Sequence, residues 1–245
     1  MNLQGQIAIV TGAGQGMGRG IAEKLSLDGA AVVVVDKNQE GAQETAQILN
    51  TTGGKALAVK GDISSIRDIE AMFQTCRETF GRPDILVANA SLSYSSSLLE
   101  TSEEEYYKVF DINAKGTLFC LKEAGRQLND GGKIVVISSS TTRYPNKGMI
   151  LYTSTKAAQK LMVEVAALEL AERNITVNSV MPGVTETPSM LSGLPAEFQQ
   201  HIIEMSPSKR LGTPKDIAEV VAFLCSKNSQ WITGQHILAN GGGPI

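Results

Sequence analysis

In the stretch "YTSTK" a phenol, Tyr152, stands four residues before an ammonium, Lys156, and a run of hydroxyl residues, Ser138–Thr142, precedes them. On a helix, residues i and i+4 share a face, so the two groups would be neighbours. A free phenol titrates at about 10, too high to trade protons readily at neutral pH. A nearby ammonium favours phenolate and should lower that value. The pair therefore has two readings. One is a solvated helix face, because tyrosine and lysine at this spacing are common on their own. The other is a general acid/base with the cation that tunes it. The elements that carry the pair have to decide.

Those elements read clearly. Short apolar runs rich in β-branched residues cover Ile7–Thr11, Ala31–Asp36, Ala56–Lys60, Asp84–Ala90, Lys133–Ser138, Ile175–Val180 and His236–Asn240. Most lack alternation, as parallel strands covered on both faces should. Between them lie helical patterns over Gly16–Asp28, Gln39–Thr51, Ile66–Phe80, Glu103–Leu128, Tyr152–Glu172 and Pro214–Cys225. Ser65 with Asp68 and Thr213 with Asp216 fit capping boxes that use aspartate, and Gly29, Gly53 and Gly81 stand where helices should end. Strand–helix alternation throughout predicts an α/β fold: one doubly wound parallel sheet, Rossmann-like, in a single domain over 1–245. One segment breaks the rhythm. Residues 182–212 form a long connection rich in Met, Leu, Pro and Ser, placed before the last helix, and such connections often serve as lids.

The first strand runs into "TGAGQGMG", Thr11–Gly18, which opens the first helix. Glycine lets the backbone turn tightly and approach a ligand closely, and a helix N-terminus offers free N–H groups to a pyrophosphate. Gly12 and Gly14 fit a G-x-G-x-x-G pattern but Met17 takes the third glycine's place, so the spacing is T-G-x-x-x-G-x-G. Asp36 ends the second strand, at the distance expected of a carboxylate that reaches an adenosine ribose. That group accepts from both ribose hydroxyls and repels a 2′-phosphate, which favours NAD. Lys37 beside it could tolerate the phosphate and keeps NADP as the alternative. With a dinucleotide loop at the same sheet edge, Tyr152 suits the proton half of a hydride transfer.

In sequence order these motifs resemble the short-chain dehydrogenases/reductases, in their compact single-domain branch, from Leu3 to Gly243. "TGAGQGMG" looks like that family's cofactor loop, with Gly12, Gln15, Gly16, Met17 and Gly18 as contacts. Gly61–Asp62 with Ile63 resembles the adenine-side turn, and Asn89–Ala90 the N-N-A-G element. "PGVTET", Pro182–Thr187, resembles the nicotinamide-side turn. The resemblance implies roles. Tyr152 is the general acid/base. Lys156 holds the nicotinamide ribose and depresses the tyrosine's pKa. Ser139, thirteen residues before the tyrosine, bonds the substrate oxygen, and Asn113 supports a water-linked proton relay. Pro182, Gly183, Val184 and Thr187 line the nicotinamide side. Ser138 and Ser140 read as strand-end caps. Two departures stand out: "ANAS" puts Ala88 and Ser91 where Asn and Gly are usual, and Asn240 replaces a commoner aspartate.

The expected reaction is interconversion of a secondary alcohol and a ketone with NAD(H). An acyl-carrier-protein 3-oxoacyl reductase using NADP(H) is the alternative, with Arg126 and Arg173 as its basic contacts, and a non-catalytic cofactor sensor is a rival from another class. Apolar lid residues Met190, Leu191, Leu194 and Phe198 suggest a partly apolar pocket, with Tyr94, Tyr144 and Met149 as walls beside Ser139. Composition excludes other classes. A net charge of −3 gives no nucleic-acid footprint, and no apolar stretch reaches membrane-spanning length. The three cysteines and two histidines are scattered, so neither a disulfide framework nor a metal site is expected. The N-terminus enters a strand without a basic region and long apolar run, so the expected compartment is the cytoplasm. The helices at 103–128 and 152–172 carry apolar residues on more than one face, among them Val109, Leu118, Leu121, Leu161, Val163, Val165 and Leu168, and the resemblance implies a homotetramer.

Overall fold

A computed structural model describes residues 2–193 and 195–243. Seven strands form one parallel sheet: β1 Ile7–Thr11, β2 Ala31–Asp36, β3 Lys55–Lys60, β4 Ile85–Ala88, β5 Lys133–Ile137, β6 Thr176–Pro182 and β7 His236–Ala239. Their order is β3-β2-β1-β4-β5-β6-β7. The order reverses between β1 and β4, and ligands of open α/β sheets bind at the carboxyl ends beside such a reversal.

Helices cover both faces, which explains the unbroken apolar runs. Helices α1 Gly16–Leu27, α2 Gln39–Thr51 and α9 Pro214–Cys225 pack on one face against Ala8, Val10, Val32, Val34 and Val135. On the other, α3 Ile66–Thr79, α5 Thr117–Gln127 and α6 Ile150–Glu169 pack against Ile9, Val33, Val35, Leu86 and Val136. Alternate residues of each strand thus serve opposite layers. Each fully buried Val, Ile or Leu contributes about 1.5–3 kcal/mol.

Turn and cap chemistry behaves as read except at Ser65, where the expected capping box is only half formed. Thr213 and Asp216 form a reciprocal capping box on α9. Ser65 accepts from the Asp68 amide, but the return bond goes elsewhere, from the Asp62 amide to Asp68. Gly29, Gly53 and Gly81 hold φ of 103°, 89° and 105°, a region only glycine enters freely.

Three departures from the expected elements bear on the site. The helix expected over 103–128 is two helices, α4 Glu103–Phe110 and α5, joined by a π-helical turn at Asp111–Gly116. At Gly116 a Cβ would lie 2.7 Å from the Ile63 carbonyl, so glycine here lets the turn press on the Asp62–Ile63 loop. Apolar periodicity runs through such a turn without a break, and so conceals it. The lid segment, expected as one long connection, carries α7 Pro188–Gly193 and α8 Ala196–Met205. Pro188 opens the first and Pro195 caps the second, both positions that tolerate proline at a helix start. Helix α6 starts at Ile150, two residues before Tyr152, and gives way to a 3-10 turn after Glu169.

Candidate active site

Strand β5 delivers the hydroxyl run to the carboxyl edge. Ser138 donates to the main-chain carbonyl of Lys156 at 3.2 Å and so pins α6 to the strand end. Ser139 is extended and heads a 3-10 turn, its oxygen accepting from the Thr141 amide at 3.2 Å and the Thr141 hydroxyl at 3.0 Å. The same side chain hydrogen-bonds Tyr152. Lys156 is 1% exposed; its Nζ donates to the Ile137 carbonyl at 2.8 Å and lies 5.5 Å from the Tyr152 ring centroid. Ser139, Tyr152 and Lys156 therefore meet at one point, and with Lys156 buried and Tyr152 half-buried the pair is not a solvated helix face.

The electrostatics differ from the expected direction. Burial raises the Tyr152 pKa, and the Ser139 hydrogen bond offsets only part of that. Burial also lowers the Lys156 ammonium to about 7. A lysine stripped of water without a carboxylate partner loses its charge cheaply, so in this state it is no full cation for the phenol.

Asn113, wholly buried in the π-helical turn, has every polar atom engaged. Its Oδ1 accepts from the Leu92 amide at 2.8 Å and the Ser91 hydroxyl at 3.1 Å. Its Nδ2 donates to the Leu92 carbonyl at 2.9 Å and to Thr155 Oγ1 at 3.1 Å, and Thr155 in turn donates to the Tyr152 carbonyl at 2.7 Å. Asn113 thus ties the loop after β4 to the helix of Tyr152. Ser91 gains a partner instead of straining the loop, since its backbone stays out of the left-handed region.

The glycine loop faces the same edge. Gly12 has φ 64°, and a Cβ on it would lie 2.7 Å from Ala90 Cα. A Cβ on Gly18 would lie 2.0 Å from the Gly12 carbonyl oxygen. Gln15 caps α1 without a side-chain bond and no acidic residue stands in its first turn, so the amides there face no carboxylate of their own helix. Gly16, at φ 55°, approaches the methyl of Thr187, which joins this loop to the 182–187 turn. Met17 packs against the core below the loop. Asp36 accepts from the Gly14 amide and the Asn38 amide, both at 2.9 Å, and remains partly exposed, with Lys37 exposed beside it. Asn89 donates to the Thr11 and Gly12 carbonyls at 2.9 and 3.0 Å, so its amide braces the loop, and the Ala90 amide bonds Thr11 Oγ1. Asp62 accepts from Ser64, and Ile63 is buried. Pro182 ends β6; Gly183 donates to Ala239, and Val184 accepts from Gly212 at 3.0 Å. The uncapped helix start, the close-packed glycines and the carboxylate at the end of β2 fit a pyrophosphate and a ribose.

The proposed pocket walls are partly committed to other bonds. The Tyr94 hydroxyl donates to Glu105 at 2.6 Å, and Glu105 also closes a capping box with Ser102. Met149 precedes α6 and bridges Ser96, which brings the 94–97 loop against the start of the catalytic helix. Tyr144 follows the 3-10 turn under the Arg143 guanidinium. The Met190 amide donates to Thr187 Oγ1. Leu191 and Phe198 are exposed on the two lid helices, and Leu194 lies outside the described residues.

Residues that the pattern reading passed over complete the site. Thr155 and Gln159 lie on the buried face of α6, three residues after Tyr152 and Lys156 respectively. Polar residues at helix positions that should be apolar were the available signal. Among the described residues no group of His, Cys, Asp and Glu could hold a metal, no helix is long and apolar enough to cross a membrane, and Cys76, Cys120 and Cys225 are free and buried.

The chain is similar to known proteins over nearly its whole length. A family profile described as enoyl-(acyl carrier protein) reductase matches residues 12–243. An uncharacterized oxidoreductase of Methylorubrum extorquens is 39% identical over 243 residues, 98% of each chain. A short-chain type dehydrogenase/reductase of Picea abies is 36% identical over 251 residues, 98% of this chain and 93% of the other. Among solved structures, a 7α-hydroxysteroid dehydrogenase complexed with NADH and 7-oxo glycochenodeoxycholic acid superposes with a TM-score of 0.96 at 33% identity, covering 99% of this chain and 95% of that one.

Proposed function

The chain belongs to the short-chain dehydrogenase/reductase family and is an NAD(P)-dependent oxidoreductase that interconverts alcohols and ketones; on that premise we propose that it acts on a small or medium secondary alcohol with NAD(H), through Tyr152. The observation that carries the reading is the junction of Ser139, Tyr152 and Lys156 beside the glycine loop. Ser139 orients the substrate oxygen and Tyr152 gives it a proton in reduction, or takes one in oxidation. Lys156 sits under the phenol and holds the cofactor ribose. The bound nicotinamide supplies or accepts the hydride. Asn113 holds the β4 loop and α6 in one register, so the acid/base and the cofactor wall move as a unit. The lid over 182–212 covers the substrate, with Met190, Met149 and Tyr144 as walls.

Asp36 supports NAD over NADP, because its carboxylate stands at the end of β2 where a ribose 2′-phosphate would meet it. The NADH bound to the 7α-hydroxysteroid dehydrogenase agrees with that reading. Dissociation constants for both coenzymes, with wild type and Asp36→Ala, test it. Wild type should bind NADH more tightly than NADPH by about ten- to a hundredfold, and Asp36→Ala should close most of the gap, since a like-charge contact costs on the order of 1–3 kcal/mol. Tighter NADPH binding by wild type would mean that Lys37 outweighs its neighbour. Steroids, polyols, cyclic alcohols and 3-hydroxyacyl esters, assayed with each coenzyme at the NADH absorbance band, separate the substrate classes. Free buried thiols support a reducing compartment, and the cytoplasm is proposed.

A further inference from the structure

The segment after β4 crosses the site from the cofactor loop to the catalytic helix. At its start the Ala90 amide bonds Thr11 Oγ1 at 3.1 Å, beside the glycine loop. Leu92 is held at both main-chain groups by the Asn113 side chain, at 2.8 and 2.9 Å. At its end the Ser96 amide donates to the Gly148 carbonyl at 2.8 Å, and Ser96 bridges Met149. The Met149 carbonyl accepts from the Thr153 amide at 2.8 Å, one residue past Tyr152. Exposure alternates between these anchors. Leu92, Tyr94 and Ser96 are half-buried, whereas Ser91, Ser93 and Ser95 are exposed. Alternation with period two belongs to an extended chain, whose successive side chains point to opposite sides. The inner side faces α4: the Tyr94 hydroxyl donates to Glu105 at 2.6 Å, and Ser96 Oγ donates to the same carboxylate at 3.4 Å. The serine side therefore faces away from α4, over the gap between the cofactor loop and the start of α6.

Ser91 spends its proton on Asn113 Oδ1 at 3.1 Å. The hydroxyls of Ser93 and Ser95 make no hydrogen bond to any described residue. Nor does the exposed side-chain amide of Asn146, three residues before Met149 on the segment that Ser96 joins. Free hydroxyls on an outer loop are merely hydrated. These two stand on the face of the segment that borders the junction of Ser139 and Tyr152. Each hydroxyl offers one donor and two acceptor sites, and the amide offers both kinds. Uncharged groups that both give and take hydrogen bonds match other hydroxyls. We propose that Ser93 and Ser95, with Asn146 beside them, are specificity-determining residues that make the substrate a neutral polyol or cyclitol. The reacting carbinol sits at Ser139 and Tyr152, and its neighbouring hydroxyls sit on the serines. The inference rests on the alcohol–ketone reading of this site and names its substrate class. An apolar ring in the same place would strip water from both serines and give them no partner in return. The carbon skeleton of the polyol lies against the pocket walls Met149 and Tyr144. The added hydroxyls bind and do not react, so the hydride and proton transfers are unchanged.

Three alcohols on one skeleton test this: cyclohexanol, cyclohexane-1,2-diol and cyclohexane-1,2,3-triol. Each is oxidised by wild type, Ser93→Ala and Ser95→Ala, with the coenzyme that wild type binds more tightly. In wild type kcat/KM should rise about three- to tenfold with each added hydroxyl, mostly through KM, since such bonds form in the ground state as well. Each serine variant should lose about three- to tenfold of the triol-to-cyclohexanol ratio, while its coenzyme dissociation constant and its Tm stay with those of wild type. A wild type that prefers cyclohexanol, or that turns over none of the three, overturns the substrate class. A ratio unmoved by both substitutions overturns the serine assignment, as does an equal loss on every alcohol. Failure of the acid/base reading is a different result, seen as Tyr152→Phe oxidising these alcohols at the wild-type rate.

Discussion

At the scale of single residues, Tyr152 sits where burial opposes its ionisation, and the nearby ammonium has itself been lowered to about 7. The raised phenol stays protonated at neutral pH, which suits a donor in ketone reduction. Alcohol oxidation needs the phenolate, so its rate should climb by up to about tenfold per pH unit below the phenol's pKa, while reduction holds at lower pH. Initial rates in both directions across pH check the sign. Tyr152→Phe should keep NADH binding near that of wild type and lower turnover ~100-fold or more. Lys156→Ala should weaken both NADH binding and turnover, and move the oxidation profile upward. Two near-normal enzymes would sink the catalytic assignment. The residue types and their spacing made this set legible, because proton transfer needs particular groups at a particular separation. The direction of the pKa shifts was not legible. It depends on how deeply the pair is buried, and "YTSTK" reads the same on a wet helix face as on a dry one. Asn113 was legible as a position but not as a knot: its partners Ser91, Leu92, Thr155 and Gln159 come from segments that only the folded chain brings together.

At the scale of elements, helix α1 must come close enough to β1 and to α9 for its first turn to open onto the sheet edge. Gly18 and Gly20 permit this. A Cβ on Gly18 would meet the Gly12 carbonyl oxygen at 2.0 Å, and one on Gly20 would meet Pro214 Cβ at 2.8 Å. In an exposed helix, Gly→Ala gains about 1 kcal/mol through propensity. Here the sign should reverse. Gly18→Ala forces backbone apart and should cost about 1–3 kcal/mol, roughly 2–12 °C in Tm at this chain length. Calorimetry on the two single variants tests this, and a stabilised Gly18→Ala would refute the close-packing account. The strands were legible because a two-sided parallel sheet demands continuous apolar runs. The π-helical turn was hidden because it preserves the helical pattern on either side. The lid helices α7 and α8 were hidden because Pro188 and Pro195 read as loop residues, when both stand at helix starts.

At the scale of the whole molecule, the apolar residues of α6 divide into two stripes. Leu151, Val163 and Ala167 face the core, whereas Leu161, Val165 and Leu168 point outward, with Leu168 79% exposed. Leu118 of α5 is exposed as well, and Trp231 lies fully exposed ahead of β7. An apolar stripe at i, i+4, i+7 on the outside of a helix whose inside is already packed calls for a second partner. The same helix carries Tyr152 and Lys156 on its inner face, so its burial by another copy would stiffen the catalytic pair without touching it. A symmetric homotetramer is the assembly proposed, and light scattering should give about four times the 26.1 kDa of one chain. The double variant Val165→Glu, Leu168→Glu should lower that mass to two chains or one, because each lost apolar contact removes about 1.5–3 kcal/mol and each carboxylate resists burial. Its far-UV spectrum should match wild type, since both side chains are exposed in the single chain. Turnover should fall with the mass, and raising the protein concentration should restore both together. A wild-type protein that remains a stable monomer at micromolar concentration would leave the outer stripe without a partner of its own kind and defeat the assembly.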